Sequence, residues 1–221
     1  MTIQRKSVLV FDGDSLVLPK TSGIGIKVDE ATPTFGWKDL LGRIDPRDAG
    51  ATAPTLAVYR AGQVREYAFA ANDVADLQFH MPHDWVPGTD IYIHVHWSHH
   101  GTAISGSLVV DFFTTFAKGF GGAIFPAEVR TTLTVSTPNV ATIPQYSHRI
   151  NEIQLSAASP TANQIDTDNL EVDSLLLINM RTTTIPTITG GATNEPFIHH
   201  VDIHYQSNGM ATKNKAPNFY A

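Results

Sequence analysis

Short runs of Thr, Val, Ile and Phe alternate with clusters of Gly, Pro, Asn and Ser along most of the chain. That is the signature of β-strands separated by turns, and the spacing is that of a sandwich or barrel. Strands are expected at residues 7–11, 55–60, 64–70, 75–81, 90–98, 107–117, 128–136, 146–155, 171–181 and 197–206. Arg60-Ala61-Gly62-Gln63 reads as a hairpin turn, and Pro87-Gly88 and Gly121-Gly122 as further turns. Helix is scarce: the one expectation is a turn or two at residues 37–41 (WKDLL), stopped by Gly42. No internal repeat or heptad run interrupts the pattern. The chain is therefore expected to be all-β. An antiparallel β-sandwich occupies residues 55–206, after an extended N-terminal arm with a short helix (1–54) and before a polar tail (207–221).

Side chains alternate across a strand, which gives the 90–98 segment two unlike faces. Ile91, Ile93, Val95 and Trp97 form an apolar face; Tyr92, His94, His96 and Ser98 form a polar one. Near the C-terminus, Phe197, His199, Val201, Ile203 and Tyr205 alternate with Ile198, His200, Asp202 and His204. If the two strands are neighbours, His94, His96, His200, Asp202 and His204 converge on one side. Imidazoles with a carboxylate suit zinc, iron, nickel or manganese. Gly88 followed by His94-Val95-His96 resembles the opening of the first cupin motif, yet the Glu beyond it and the second motif are absent. The apolar face is the better core, so His94 and His96 are expected to point outward as hydrogen-bonding residues. No metal ligand set and no cofactor is favoured; His94, His96, His200 and His204 are the positions a metal would use. His199 is expected on the apolar face, and His80 and His83 at a strand end or in a loop.

Composition narrows the function classes. The 221 residues suffice for a full core without staples. Only 16% are charged against about 25% in an average soluble domain, while 42% are hydrophobic. Part of the surface is thus expected to be covered by partners. A net charge of −6 without a basic stripe argues against nucleic-acid binding. The absence of cysteine removes thiol chemistry and disulfides and fits a reducing compartment. No run of 18 apolar residues offers a membrane span, and the apolar run before Asp12 is too short for a signal peptide. A soluble product made in the cytoplasm is expected.

Catalytic signatures are missing. No G-x-S-x-G elbow, Walker loop, G-x-G-x-x-G turn or H-E-x-x-H helix occurs, and Gly23-Ile24-Gly25-Ile26 is a lone fragment. Asp166 and Asp168 sit among Thr and Asn as in a solvated turn rather than an acid/base pair. Phe112, Phe113 and Phe116 lack the interleaved Lys or Arg of a base-stacking platform, and read as a strand buried on both faces. The chain is not expected to be an enzyme.

Several stretches together resemble a group of tailed-bacteriophage virion proteins. They are Gly36-Trp37-Lys38-Asp39-Leu40-Leu41-Gly42, Phe79-His80-Met81-Pro82-His83-Asp84-Trp85 running on through Gly88 to Trp97, and Val172-Asp173-Ser174-Leu175. Asp202-Ile203-His204-Tyr205-Gln206-Ser207 and residues 212–220 (TKNKAPNFY) complete the set. Within phage particles, the jelly-roll capsid decoration, or cement, proteins best suit this composition. The resemblance implies a jelly-roll-like sandwich on the outer surface of the capsid, made in a bacterial host. Its partners would be the major capsid protein or other virion subunits, the state a homo-oligomer (trimer or dimer), with no nucleic acid and no membrane. The arm (1–54) and the tail (207–221) would make the main inter-subunit contacts. The alternatives are another virion part (head–tail, tail or fibre base) and a cupin-like metal- or sugar-binding protein.

Overall fold

The computed structural model describes residues 10–12, 15–17, 36–46, 52–136, 140–155, 171–209, 211, 212 and 214–219. The chain divides into two units, residues 1–34 and 35–221. In the first, β1 (Val10–Asp12) pairs antiparallel with β2 (Ser15–Val17).

The second unit is a two-sheet antiparallel sandwich. Its strands are β3 (Gly36–Gly42), β4 (Thr55–Val58), β5 (Arg65–Ala68), β6 (Val74–His80), β7 (Ile91–Ser98), β8 (Ala103–Ser105) and β9 (Leu108–Ala117). Then come β10 (Val129–Val135), β11 (Arg149–Leu155), β12 (Leu175–Thr184), β13 (Thr187–Thr189) and β14 (Phe197–Ser207). One sheet runs β10-β9-β12-β6; the other runs β11-β7-β14-β5-β4, with β3 also on β14. β8 and β13 form a separate two-stranded ribbon. Going along the chain, β6, β7, β9, β11, β12 and β14 alternate between the two main sheets, which makes the sandwich jelly-roll-like.

Alternation decides which face is inside. Ile91, Ile93, Val95 and Trp97 of β7 are fully buried, as the apolar pattern required. They share one core with Leu108, Val110, Phe112 and Phe116 of β9, with Leu176, Ile178 and Met180 of β12, and with Leu77 and Phe79 of β6. On the other face of β9, Phe113 is half-buried under the Arg130 guanidinium, 6.0 Å from its ring centre. The buried Asp111 accepts from Arg130 (2.6 Å) and from Thr132 (2.6 Å). This strand is thus covered on both faces, by core on one and by a polar lattice on the other.

Three expectations need correction. The segment 37–41 is no helix: it lies in β3, paired with β14 from Val201↔Gly42 to Ser207↔Gly36. β14 is 11 residues long, and β5 covers only Phe197 and Ile198 of the edge opposite β7. The remaining backbone groups need a ladder partner, and β3 supplies it while Leu40 packs on the core. Gly42 is accordingly not a helix stop. A Cβ there would strike the Phe79 ring and lie 2.6 Å from the Val201 carbonyl, so only glycine lets β3 sit this close. Third, a register shift between Ile198 and His200 interrupts strict alternation at the start of β14. Ile198, expected beside the histidines, enters the core, and His199 leaves the apolar face to meet Ser98 (2.8 Å) and Glu66 (3.4 Å). β2, β8 and β13, three residues each, carry too little period-two signal to be seen in the sequence.

Candidate functional site

β7 and β14 are neighbours, with Asp202 opposite His94, His200 opposite His96 and His204 opposite Tyr92. The expected convergence therefore forms, on the face turned away from the core. β11 adds a third column, placing Glu152 opposite His94, and β3 a fourth, placing Asp39 opposite His204. The result is a polar lattice four strands wide.

Its members are closely packed. The rings of His94 and His204 have centres 3.6 Å apart, and His96 stacks on His148 at 5.1 Å. His94 Nε2 donates to Glu152 Oε2 (2.9 Å), and His96 Nδ1 shares a hydrogen bond with His148 Nε2 (2.9 Å). His204 Nε2 meets Asp39 Oδ1 and lies 3.6 Å from Asp202 Oδ2. His96 Nε2 and Asp202 Oδ1 pair at 2.9 Å. Burial lowers the His96 pKa; Asp202 opposes that, and the charges of His148 and His200 reinforce it. His200 is beside His96, with ring centres 5.6 Å apart. Asp39, His148 and Glu152 were not among the expected site residues, since only strand pairing brings them to His94, His96 and His204.

Beside this lattice, Trp37, Tyr92, Glu152 and His204 line a hollow of about 330 Å³, with Trp37 edge-on to Tyr92 at 5.4 Å. Trp37 is half exposed there.

A second polar cluster lies at the β6–β7 loop. Asp84 accepts from Lys38 Nζ (2.5 Å), Ser207 Oγ (2.7 Å) and Tyr205 Oη (3.0 Å). Burial alone would raise the Asp84 carboxyl, but these hydrogen bonds and the Lys38 charge outweigh it and hold it below the usual carboxylate range. The Tyr205 phenol is pushed up to about 12 by burial and by Asp84. His80, at the end of β6, and His83, in the loop, approach Asp173 at 3.3 and 3.0 Å. His83 also bonds Thr212, and its ring meets the buried Phe219 ring at 5.6 Å. Thr212 and Phe219 of the tail thus pack on their own chain. Asp166, Asp168 and Gly23–Ile26 lie outside the described residues.

No protein-family model and no curated protein matches the sequence. Among solved structures, the chain is similar to the xylan-binding module CBM15 (11% identity, TM-score 0.33, covering 81% of this chain and 95% of that one). It is also similar to a family 11 carbohydrate-binding module from Clostridium thermocellum (13%, TM-score 0.31, covering 80% and 92%). A third likeness is to CBM28, a module specific for non-crystalline cellulose (9%, TM-score 0.33, covering 72% and 84%). At these scores the likeness assigns no ligand.

Proposed function

We propose that this chain is a structural component of a tailed-phage particle, a capsid decoration protein that binds across neighbouring capsid subunits. One observation carries the reading. The stretches that resemble phage virion proteins are scattered from residue 36 to residue 220, and described parts of them meet around two carboxylates. Lys38 from the first stretch, Asp84 from the second, and Tyr205 and Ser207 from the fourth form one hydrogen-bonded cluster. His80 and His83 of the second stretch reach Asp173 of the third, and His83 holds Thr212 and Phe219 of the last.

The surface supports a life in contact. The β9–β10 loop leaves Phe120, Ile124 and Phe125 exposed, Ile124 at 86%. Edge strand β4 exposes Leu56 and Val58, and an edge with apolar side chains is suited to strand addition by a neighbour. Several modest contacts of this kind combine into a persistent clamp through effective concentration.

The test is location. Mass spectrometry of gradient-purified particles is expected to find the chain, and antibodies against it are expected to label intact heads in electron micrographs. Finding it only in the soluble lysate fraction would overturn the reading; labelling confined to tails would replace decoration by a tail role.

A further inference from the structure

The histidine lattice gathers imidazole nitrogens and a carboxylate oxygen at its centre. One nitrogen each from His94 and His96 and one oxygen from Asp202 lie within 4.8 Å of one another. Each of these residues also carries a buried atom without a hydrogen bond: His94 Nδ1, His96 Nε2 and Asp202 Oδ1. Their other ring nitrogens are engaged outward. Glu152 is acceptor-only when ionised, so His94 Nε2 holds the proton and Nδ1 keeps its lone pair. His96 Nδ1 is taken up by His148, which turns Nε2 toward Asp202 Oδ1. His96 Nε2 and Asp202 Oδ1 are 2.9 Å apart, and neither makes a hydrogen bond to any other group. A buried carboxylate is costly unless a cation pairs with it or a metal takes it up.

We propose that His94, His96 and Asp202 bind one first-row divalent transition metal, with His204 and Asp39 placed to complete or close the site. Two imidazoles and one carboxylate are the donor set of zinc, cobalt, nickel or iron rather than of calcium or magnesium. The Glu152 contact is the outer hydrogen bond by which ligating histidines are oriented, and it fixes the tautomer that leaves Nδ1 free. Asp202 also belongs to a second set of donors, with Asp39 and His204, on the side facing β3. His200 joins neither set, although its Nε2 is buried without a partner. The sequence alone favours no metal because its cupin-like motif is incomplete; the register of β7 and β14 adds the placement of Asp202 opposite His94.

The experiment uses the untagged full chain, stripped with chelator and titrated with Zn²⁺ by calorimetry and with Co²⁺ by visible absorption. Saturable binding at one metal per chain is expected, with a Co²⁺ d–d band showing nitrogen ligation. Asp202→Asn and His94→Ala are expected to abolish it, while His80→Ala, outside the lattice, leaves it intact. Glu152 is exposed, so Glu152→Gln serves as the variant that keeps the fold; it is expected to weaken affinity about 10-fold or more. Two results would overturn the site: no saturable binding by the wild-type chain, or undiminished binding by correctly folded Asp202→Asn or His94→Ala protein.

Discussion

Replacing Asp84 by alanine removes the acceptor on which three donors from two distant strands depend. The Tyr205 and Ser207 side chains are buried, so their hydroxyls lose a charged partner with little access to water. Hydrogen bonds to a charged group contribute about 1.5–3 kcal/mol each. The Lys38 pair is half exposed and contributes about 0–1 kcal/mol after solvent screening. Gly209 N still donates to Ser207 Oγ, and the desolvation of the carboxylate is itself relieved, so the sum falls short of the parts. A loss of about 3 kcal/mol is expected. With a urea m-value of about 2 kcal/mol/M, the unfolding midpoint moves down by about 1.5 M. Lys38→Ala is expected to cost under about 1 kcal/mol. The pH dependence has a definite sign. A carboxylate held below its unfolded value of about 3.9 stabilises the fold above that value, and the gain is lost as pH falls toward the folded pKa. The Asp84→Ala chain should therefore lose less on acidification than the wild type. The reasoning fails if Asp84→Ala costs less than about 1 kcal/mol, or if Lys38→Ala costs as much as Asp84→Ala.

Two further substitutions probe the packing. Gly42→Ala forces a methyl group into the Phe79 ring and toward the Val201 carbonyl, and is expected to cost about 1–3 kcal/mol by overpacking, read from urea unfolding. A midpoint unchanged from wild type would mean that β3 does not dock as described. His100 is 2% exposed with both ring nitrogens unpartnered, and burial, then the charge of His99, lowers its pKa. A histidine lowered in the folded state contributes its stability above the unfolded pKa of about 6.5 and loses it as pH falls toward the folded value. His100→Leu is expected to match the wild type within about 1 kcal/mol at pH 8 and to exceed it increasingly from pH 6.5 to 5, since an apolar replacement leaves nothing to protonate. Parallel stability curves for the two chains across that range would contradict this.

The sequence made much of the sandwich legible because period two is a property of neighbouring residues. Ile91, Ile93, Val95 and Trp97 announce a buried face by themselves, and the chain places that face in the core. β3 is illegible in the sequence for the opposite reason. Trp37-Lys38-Asp39-Leu40-Leu41 alternates poorly between two glycines, and its conformation is set by the unfilled edge of β14, more than 150 residues away in the sequence. The same distinction runs through the site. That His94 and His96 share a face follows from alternation alone. That Asp202 rather than His200 lies opposite His94 depends on the register of β14, which the irregularity between Ile198 and His200 helps to set. A shift of one residue would turn Asp202 toward the core and leave the rings without their carboxylate. Chemistry at this face is thus a property of pairing, and the bulge at the start of β14 is the feature on which the pairing turns.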